Sequence, residues 1–278
     1  MKSFYDQVCH KCSKLTTKAY STSFSLGIRF LNKQYRQPIY GIYGFVRFAD
    51  EIVDSFHEYD KARLLNEFEA ETYKAITDKI SLNPILNSFQ EAVNTYQIDH
   101  ELIDTFLKSM RMDLGKSAYT EEDYKTYILG SAEVVGLMCL KVFCNGDQQV
   151  YESLKNNAMK LGSAFQKINF LRDMHADVSD LGRMYFPNLN IKEFDESCKA
   201  EIVADIEKDF QAGLEGIRGL PKGSRFGVYM AYVYYHSLLK KIRRTSSETI
   251  LMERVRVPDN IKYALFVGSY VRHRFDLI

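Results

Sequence analysis

Tyr43, Arg47, Asp50 and Asp54 follow one another at spacings of four, three and four residues. On a helix all four project from one face. Around them stand Ile39, Tyr40, Ile42, Phe45, Val46 and Ile52, and a polar stripe on so apolar a helix is not simply its solvent side. Alone, it could still be a salt-bridged face. Arg47 lies three residues before Asp50, and a chain with 36 acidic residues carries acid pairs at this spacing by chance. A second stripe changes the balance. Gln166, Asn169, Asp173 and Asp177, spaced three, four and four, again share one face, among Ala164, Phe165, Ile168, Phe170 and Leu171. Two acid stripes, each on an apolar helix, indicate a common task.

Ligand chemistry suggests which task. Mg²⁺ prefers oxygen ligands, takes only a few carboxylates from protein, and completes its shell with water and substrate phosphate oxygens. Facing pairs of carboxylates, each pair one helical turn apart, suit such an ion without enclosing it. They predict a clamp for one or two diphosphates, with Arg47 and Arg172 adding fixed positive charge beside the leaving group. Mg²⁺ is the expected ion and Mn²⁺ the alternative. A calcium loop at residues 173–180 fits worse, because it lacks the glycine at its sixth position and the closing Glu. No HExxH, Walker A or GxGxxG pattern occurs, which removes support for zinc hydrolysis, P-loop transfer and Rossmann cofactors.

The elements that must hold these stripes are helical. The periodicity predicts helices at 4–20, 38–56, 60–77, 84–97, 99–114, 121–145, 148–178, 195–217, 222–244 and 259–274, with residues 179–194 as a loop. Of the five prolines, Pro38, Pro84 and Pro258 stand where helices are expected to start. With 278 residues, 46% hydrophobic, and no linker or repeat, one all-α domain over 1–278 is expected. Gly130 and Gly136 lie inside an apolar helical stretch, where each costs about 1 kcal/mol relative to alanine and must have a use. Tight packing and room for a ligand are both open.

Lys and Arg number 37 against 36 Asp and Glu, so a nucleic-acid partner is not expected. The N-terminus has no apolar signal core, and five scattered cysteines fit reduced thiols in the cytoplasm. Cys9 and Cys12 have CxxC spacing without a second pair. The longest apolar runs are too short to span a bilayer. Lys240, Lys241, Arg243 and Arg244 fit the negative end of a helix dipole, or alternatively weak peripheral docking on an anionic membrane.

At these residues the chain resembles the squalene and phytoene synthase family. YGFVRFADEIVD (43–54) is similar to the family's first signature, with Glu51 where Asp is common. GSAFQKINFLRDMHADVSDLGRMYFP (162–187) is similar to the second throughout. STSFSLGIRFL, MRMDLGKSAY and YILGSAEVVGLM agree as well, so the likeness runs from about residue 15 to 257. It implies a single-domain isoprenoid-synthase helical bundle with a central cavity. It also implies a two-step, head-to-head prenyl transfer: one allylic diphosphate ionises and is captured as a cyclopropylcarbinyl diphosphate, which ionises again and rearranges.

By position, the resemblance assigns Asp50, Asp54, Asp173 and Asp177 to Mg²⁺. Asn169, Gln166, Arg47 and Arg172 fall to diphosphate or metal-bound water. Ser21 and Arg254 match diphosphate contacts, and Tyr235 a tyrosine near the reacting centre. A carbocation needs a dry pocket with aromatic faces, for which Phe24, Tyr43, Tyr127, Phe165 and Tyr235 are the candidates. On this reading Gly130 and Gly136 make room for a prenyl tail. Tyr20 stands where some members carry His, which removes an imidazole there.

The Met110–Tyr119 stretch and a C-terminus without an anchor favour phytoene synthase chemistry in carotenoid biosynthesis: two geranylgeranyl diphosphates, no NADPH. The alternatives are a farnesyl diphosphate-using dehydrosqualene or squalene-type synthase and a non-catalytic assembly factor of the same fold. The latter predicts eroded carboxylates, and both pairs are intact.

Overall fold

The computed structural model describes residues 2–115, 118–187, 189 and 193–256. Twelve α-helices run through them: α1 (Lys2–Tyr20), α2 (Thr22–Arg29), α3 (Lys33–Ser55), α4 (Lys61–Asp78), α5 (Pro84–Tyr96), α6 (His100–Met112), α7 (Glu121–Ile128), α8 (Val134–Cys144), α9 (Gln148–Ser179), α10 (Glu196–Gly219), α11 (Lys222–Arg244) and α12 (Ser247–Met252). No strand occurs among the described residues, and the single bridge, between Ala118 and Met184, ties two loops together. The helices form one all-α domain of the kind the sequence predicts.

Local chemistry starts most of them. Asn83 accepts from the backbone N–H groups of Ile85 and Leu86, with Pro84 at the first helical position of α5. Thr120 and Asp123 form a reciprocal capping box on α7. Asp147 caps α9 through the N–H of Val150. Helix α3 begins five residues earlier than its proline suggests. Tyr35 is buried and packs edge-on against Phe143, so the apolar face extends upstream. That burial outweighs the one hydrogen bond Pro38 cannot donate. The short helices α2 and α12 escaped the periodicity reading because each spans only about two turns. The helix expected at 259–274 lies outside the described residues.

α7 and α8 continue each other through one wider π turn, Leu129–Glu133. The run 121–144 is long and apolar enough by length and composition to cross a membrane, contrary to the sequence expectation. It is instead an internal helix, packed against α6 and α9. One end of the core is aromatic: Phe45 of α3 stacks on Phe89 of α5 at 3.9 Å between ring centres. It also meets Phe68 of α4 and Phe106 of α6. Beside that cluster, with Phe106 in its wall, α2, α3, α6, α7, α8, α9, α10 and α11 surround a cavity.

Candidate active site

The cavity holds about 370 Å³. Its mouth is polar, formed by Tyr43, Arg47 and Asp50 of α3 and by Gln166 and Asn169 of α9. The rest of the wall is apolar apart from Ser131, whose buried hydroxyl has no partner among the described residues, and Asn157, whose amide donates to the Ala212 carbonyl at 2.7 Å. Along α9 the lining runs from Asn169 down to Leu154, 15 residues or about 22 Å of helix. Leu31, Phe143, Ile217 and Leu220 stand in the apolar part. The two acid stripes therefore meet at one end of a hydrocarbon-lined channel, α3 supplying one and α9 the other.

Each stripe is partly neutralised by arginine. Arg47 donates to Asp50 and to Glu51, both at 2.5 Å, and its guanidinium lies 4.2 Å above the Tyr20 ring. Glu51 thus serves Arg47, and Tyr20 offers a cation–π face where an imidazole was absent. Arg172 donates through Nε to Asp173 at 3.0 Å, and Arg254 Nε lies 2.6 Å from the same carboxylate. The Nε of Arg47 is buried and has no partner among the described residues.

The carboxylates feel one another. Burial, then the neighbouring Asp54, raises Asp50 well above the usual carboxylate range. Burial, then Asp173 and Asp54, pushes Asp177 up to about 8. Asp54 on α3 and Asp177 on α9 are near enough to repel, so the two stripes converge. Crowded, buried oxygen donors with raised proton affinity fit a divalent cation, which would relieve the repulsion that protons otherwise relieve. No preformed cage of three acidic, cysteine or imidazole groups exists among the described residues. An ion that keeps water and phosphate in its shell does not need one.

The other predicted residues divide into layers. Phe24, Tyr43 and Phe165 line the channel. Tyr235 stands one layer behind, stacked on Phe165 at 4.1 Å, with its hydroxyl donating to Asn169 at 3.3 Å. Asn169 in turn donates to Gln166 at 3.4 Å. Ser21 caps α2, accepting from the Phe24 N–H at 3.2 Å, and so fixes the start of the helix that carries Phe24. Tyr127 lines the cavity, but its hydroxyl donates to Asp113 at 2.7 Å. The two glycines part company. Gly136 borders the channel, whereas Gly130 does not make room there: a Cβ on it would lie 2.6 Å from the Thr105 carbonyl of α6. Gly130 is a helix-packing residue, which corrects the reading of it as a gap for the tail.

Sequence reasoning missed Arg183. Its guanidinium is buried and donates to Asp54 at 2.6 Å, to the Asp113 carbonyl at 3.0 Å and to the Val53 carbonyl at 3.3 Å. Asp113 anchors the arrangement, accepting from Tyr119, Tyr127 and Tyr185. Burial raises Asp113 to about 6, opposed by the positive charge of Arg183. The signal was present in GRMYFP and RMDL, both inside motifs already singled out, but neither has an acid stripe to draw attention.

Comparison with known proteins shows the family and the fold. The squalene/phytoene synthase family model matches residues 17–260. A phytoene synthase of Arthrospira platensis is 27% identical, over 89% of this chain and 87% of its own length. Phytoene synthase 1 of Solanum lycopersicum, chloroplastic, is 27% identical over 86% of this chain, which spans 61% of that protein. In fold, a dehydrosqualene synthase superposes with a TM-score of 0.82 at 20% identity, covering 97% of this chain and 98% of the other. A squalene synthase from Alicyclobacillus acidocaldarius gives 0.75 at 22% identity, over 86% and 94%. The family match takes in both acid stripes and every channel-lining residue named above, and the chain belongs to the squalene/phytoene synthase family.

Proposed function

We propose that the chain joins two molecules of geranylgeranyl diphosphate head to head to give phytoene, releasing both diphosphates and two protons (one as the cyclopropane closes, one after the rearrangement) without a reductant, as a transferase of carotenoid biosynthesis. The observation that carries this is the convergence of two buried acid stripes at the polar mouth of an apolar channel. The family relatives named phytoene synthase support the forty-carbon product over the thirty-carbon one.

Asp50, Asp54, Asp173 and Asp177, with Asn169, would hold Mg²⁺, which when bound supplies Lewis-acid assistance to a leaving diphosphate. The chain's own residues do the rest. Arg47 and Arg172 now spend their charge on Asp50 and Asp173. When a diphosphate arrives, both guanidiniums can turn to it, and the unpartnered Nε of Arg47 gives one donor that needs no exchange. The tail lies along the largely apolar wall, and by filling it excludes the water that would quench a carbocation. The faces of Phe24, Tyr43 and Phe165, ringed at the channel mouth with Tyr235 behind, stabilise the developing positive charge by cation–π attraction.

The test is incubation with geranylgeranyl or farnesyl diphosphate, Mg²⁺ and no NADPH, followed by product analysis. A forty-carbon hydrocarbon is expected. A thirty-carbon product alone overturns the substrate assignment. Asp50→Ala and Asp173→Ala should each lower turnover at least a hundredfold, on the scale of removing one preorganised electrostatic group. Unchanged turnover in both would remove the enzymatic reading altogether.

A further inference from the structure

Charge in this nearly neutral chain is segregated. Residues 7–49 contain seven Lys and Arg and no Asp or Glu, and residues 216–247 repeat that composition. The fold brings the cations of the first segment together beside Met230 and Tyr234 of the second, which supplies no charge there. α1, α2, α3 and α11 border a groove of about 1190 Å³, separate from the catalytic mouth. Six basic side chains line it: Lys11, Lys14, Lys18, Arg29, Lys33 and Arg36; no acidic one does. His10, also in the lining, is paired with Glu91 at 2.9 Å, and Arg36 donates to the Leu31 carbonyl at 2.7 Å. The other five cations are exposed and have no acidic partner among the described residues.

Beside the lysines runs an apolar strip. At 100° per residue, Phe4, Val8 and Leu15 of α1 fall within about 40° of one another, next to the arc of Lys11, Lys14 and Lys18. They are 71%, 39% and 69% exposed. Tyr5 donates to the Ser81 carbonyl at 2.6 Å, which places the α4–α5 loop, with Leu82 exposed, at this end of α1. A soluble anion accounts for the cations but leaves the apolar strip without a purpose. An acidic protein surface would not need so open a row of Phe, Val and Leu backed by a deep groove. Lysines flanking exposed apolar side chains on one helix are the pattern of a helix lying in a lipid interface.

We propose that α1 and the basic groove form a docking face for an anionic lipid bilayer, with Phe4, Val8 and Leu15 entering the acyl boundary and the lysines meeting headgroups. The cluster at the end of α11 is less suited. Arg243 is paired with Glu207, and Lys241 donates to the Arg256 carbonyl. Gly27 of α2 borders both the groove and the channel, so the docking face and the hydrocarbon-lined space share one helix.

Sedimentation of the full chain with vesicles tests the docking without any turnover. Binding is expected to phosphatidylcholine mixed with phosphatidylglycerol, not to phosphatidylcholine alone, and it should weaken with salt. Each headgroup-facing lysine contributes about fivefold, so Lys11→Gln/Lys14→Gln/Lys18→Gln should weaken binding about a hundredfold. Phe4→Ser/Leu15→Ser should weaken it at unchanged charge, and unaltered circular dichroism melting of these variants shows that they remain folded. Equal sedimentation with both vesicle types overturns the proposal, as does undiminished binding by the triple variant. So does loss of binding on neutralising Lys240 and Arg244 alone. Self-association without vesicle binding assigns the face to a second copy and also overturns it. None of these outcomes touches the reaction proposed above.

Discussion

Asp177 and Asp50 hold protons in the folded chain that they would release when unfolded. Asp177 is raised from 3.8 to about 8 by burial and by two neighbouring carboxylates, and Asp50 shifts the same way. The folded state therefore binds more protons between about pH 4 and pH 8. Stability of the metal-free protein must fall as pH rises through that window. A divalent cation competes for the same oxygens and binds better once the protons have left. Melting at pH 6 and pH 8.5, with and without Mg²⁺, is expected to show a lower metal-free Tm at the higher pH. The rise on adding Mg²⁺ should also be larger there, approaching the effect of about 2.7 kcal/mol at a hundredfold excess over Kd. Equal Mg²⁺ shifts at both pH values would contradict the shared role of these carboxylates. Both stripes were legible in the sequence because i, i+3 and i+4 spacing is local. Arg183, which fastens Asp54 from 129 residues away, was not, since nothing local marks a partner across the fold.

Among the helices, the π turn is where α6 and α9 both press on the α7–α8 run. Gly130 sits in it, with the Thr105 carbonyl and the Ser109 side chain each 2.6 Å from where a Cβ would lie. Two effects of Gly130→Ala oppose each other. Alanine favours the helix by about 1 kcal/mol, while forcing a methyl against backbone costs about 1–3 kcal/mol. The blocked partner is a carbonyl, not the end of a flexible side chain, so the clash wins. A net loss of up to about 2 kcal/mol is expected in urea unfolding, and a gain would show that α6 can retreat. Sequence reading recognised that these glycines had a use but could not separate packing from cavity. The difference lies in which neighbour each glycine faces, and no helical period encodes that.

For the molecule as a whole, the proposed reaction makes channel length the property that would set product size. Ala158 lines the channel 11 residues from Asn169, about 16 Å along α9 from the mouth, with Leu154 one further turn away. Ala158→Phe should close the deep end, so a variant given both diphosphates is expected to favour farnesyl diphosphate and the shorter product. An unchanged product ratio at normal turnover would mean that the tail does not follow α9. The small residue lies on a face of α9 that the sequence shows but does not direct. Only packing against α8 and α10 turns it inward.

By itself the sequence determined the all-helical class, the two carboxylate stripes and the family, because each is written in local period or in a long motif. The tertiary structure decided what those residues do to one another. It brought α3 and α9 close enough for carboxylates to raise each other's proton affinity, and set an arginine against Asp50 and another against Asp173. It also placed Tyr235 behind Phe165 and gathered cations of α1, α2 and α3 around one groove. These outcomes depend on how helices pack and on burial, which convert spacing along a chain into distance, charge and exclusion of water.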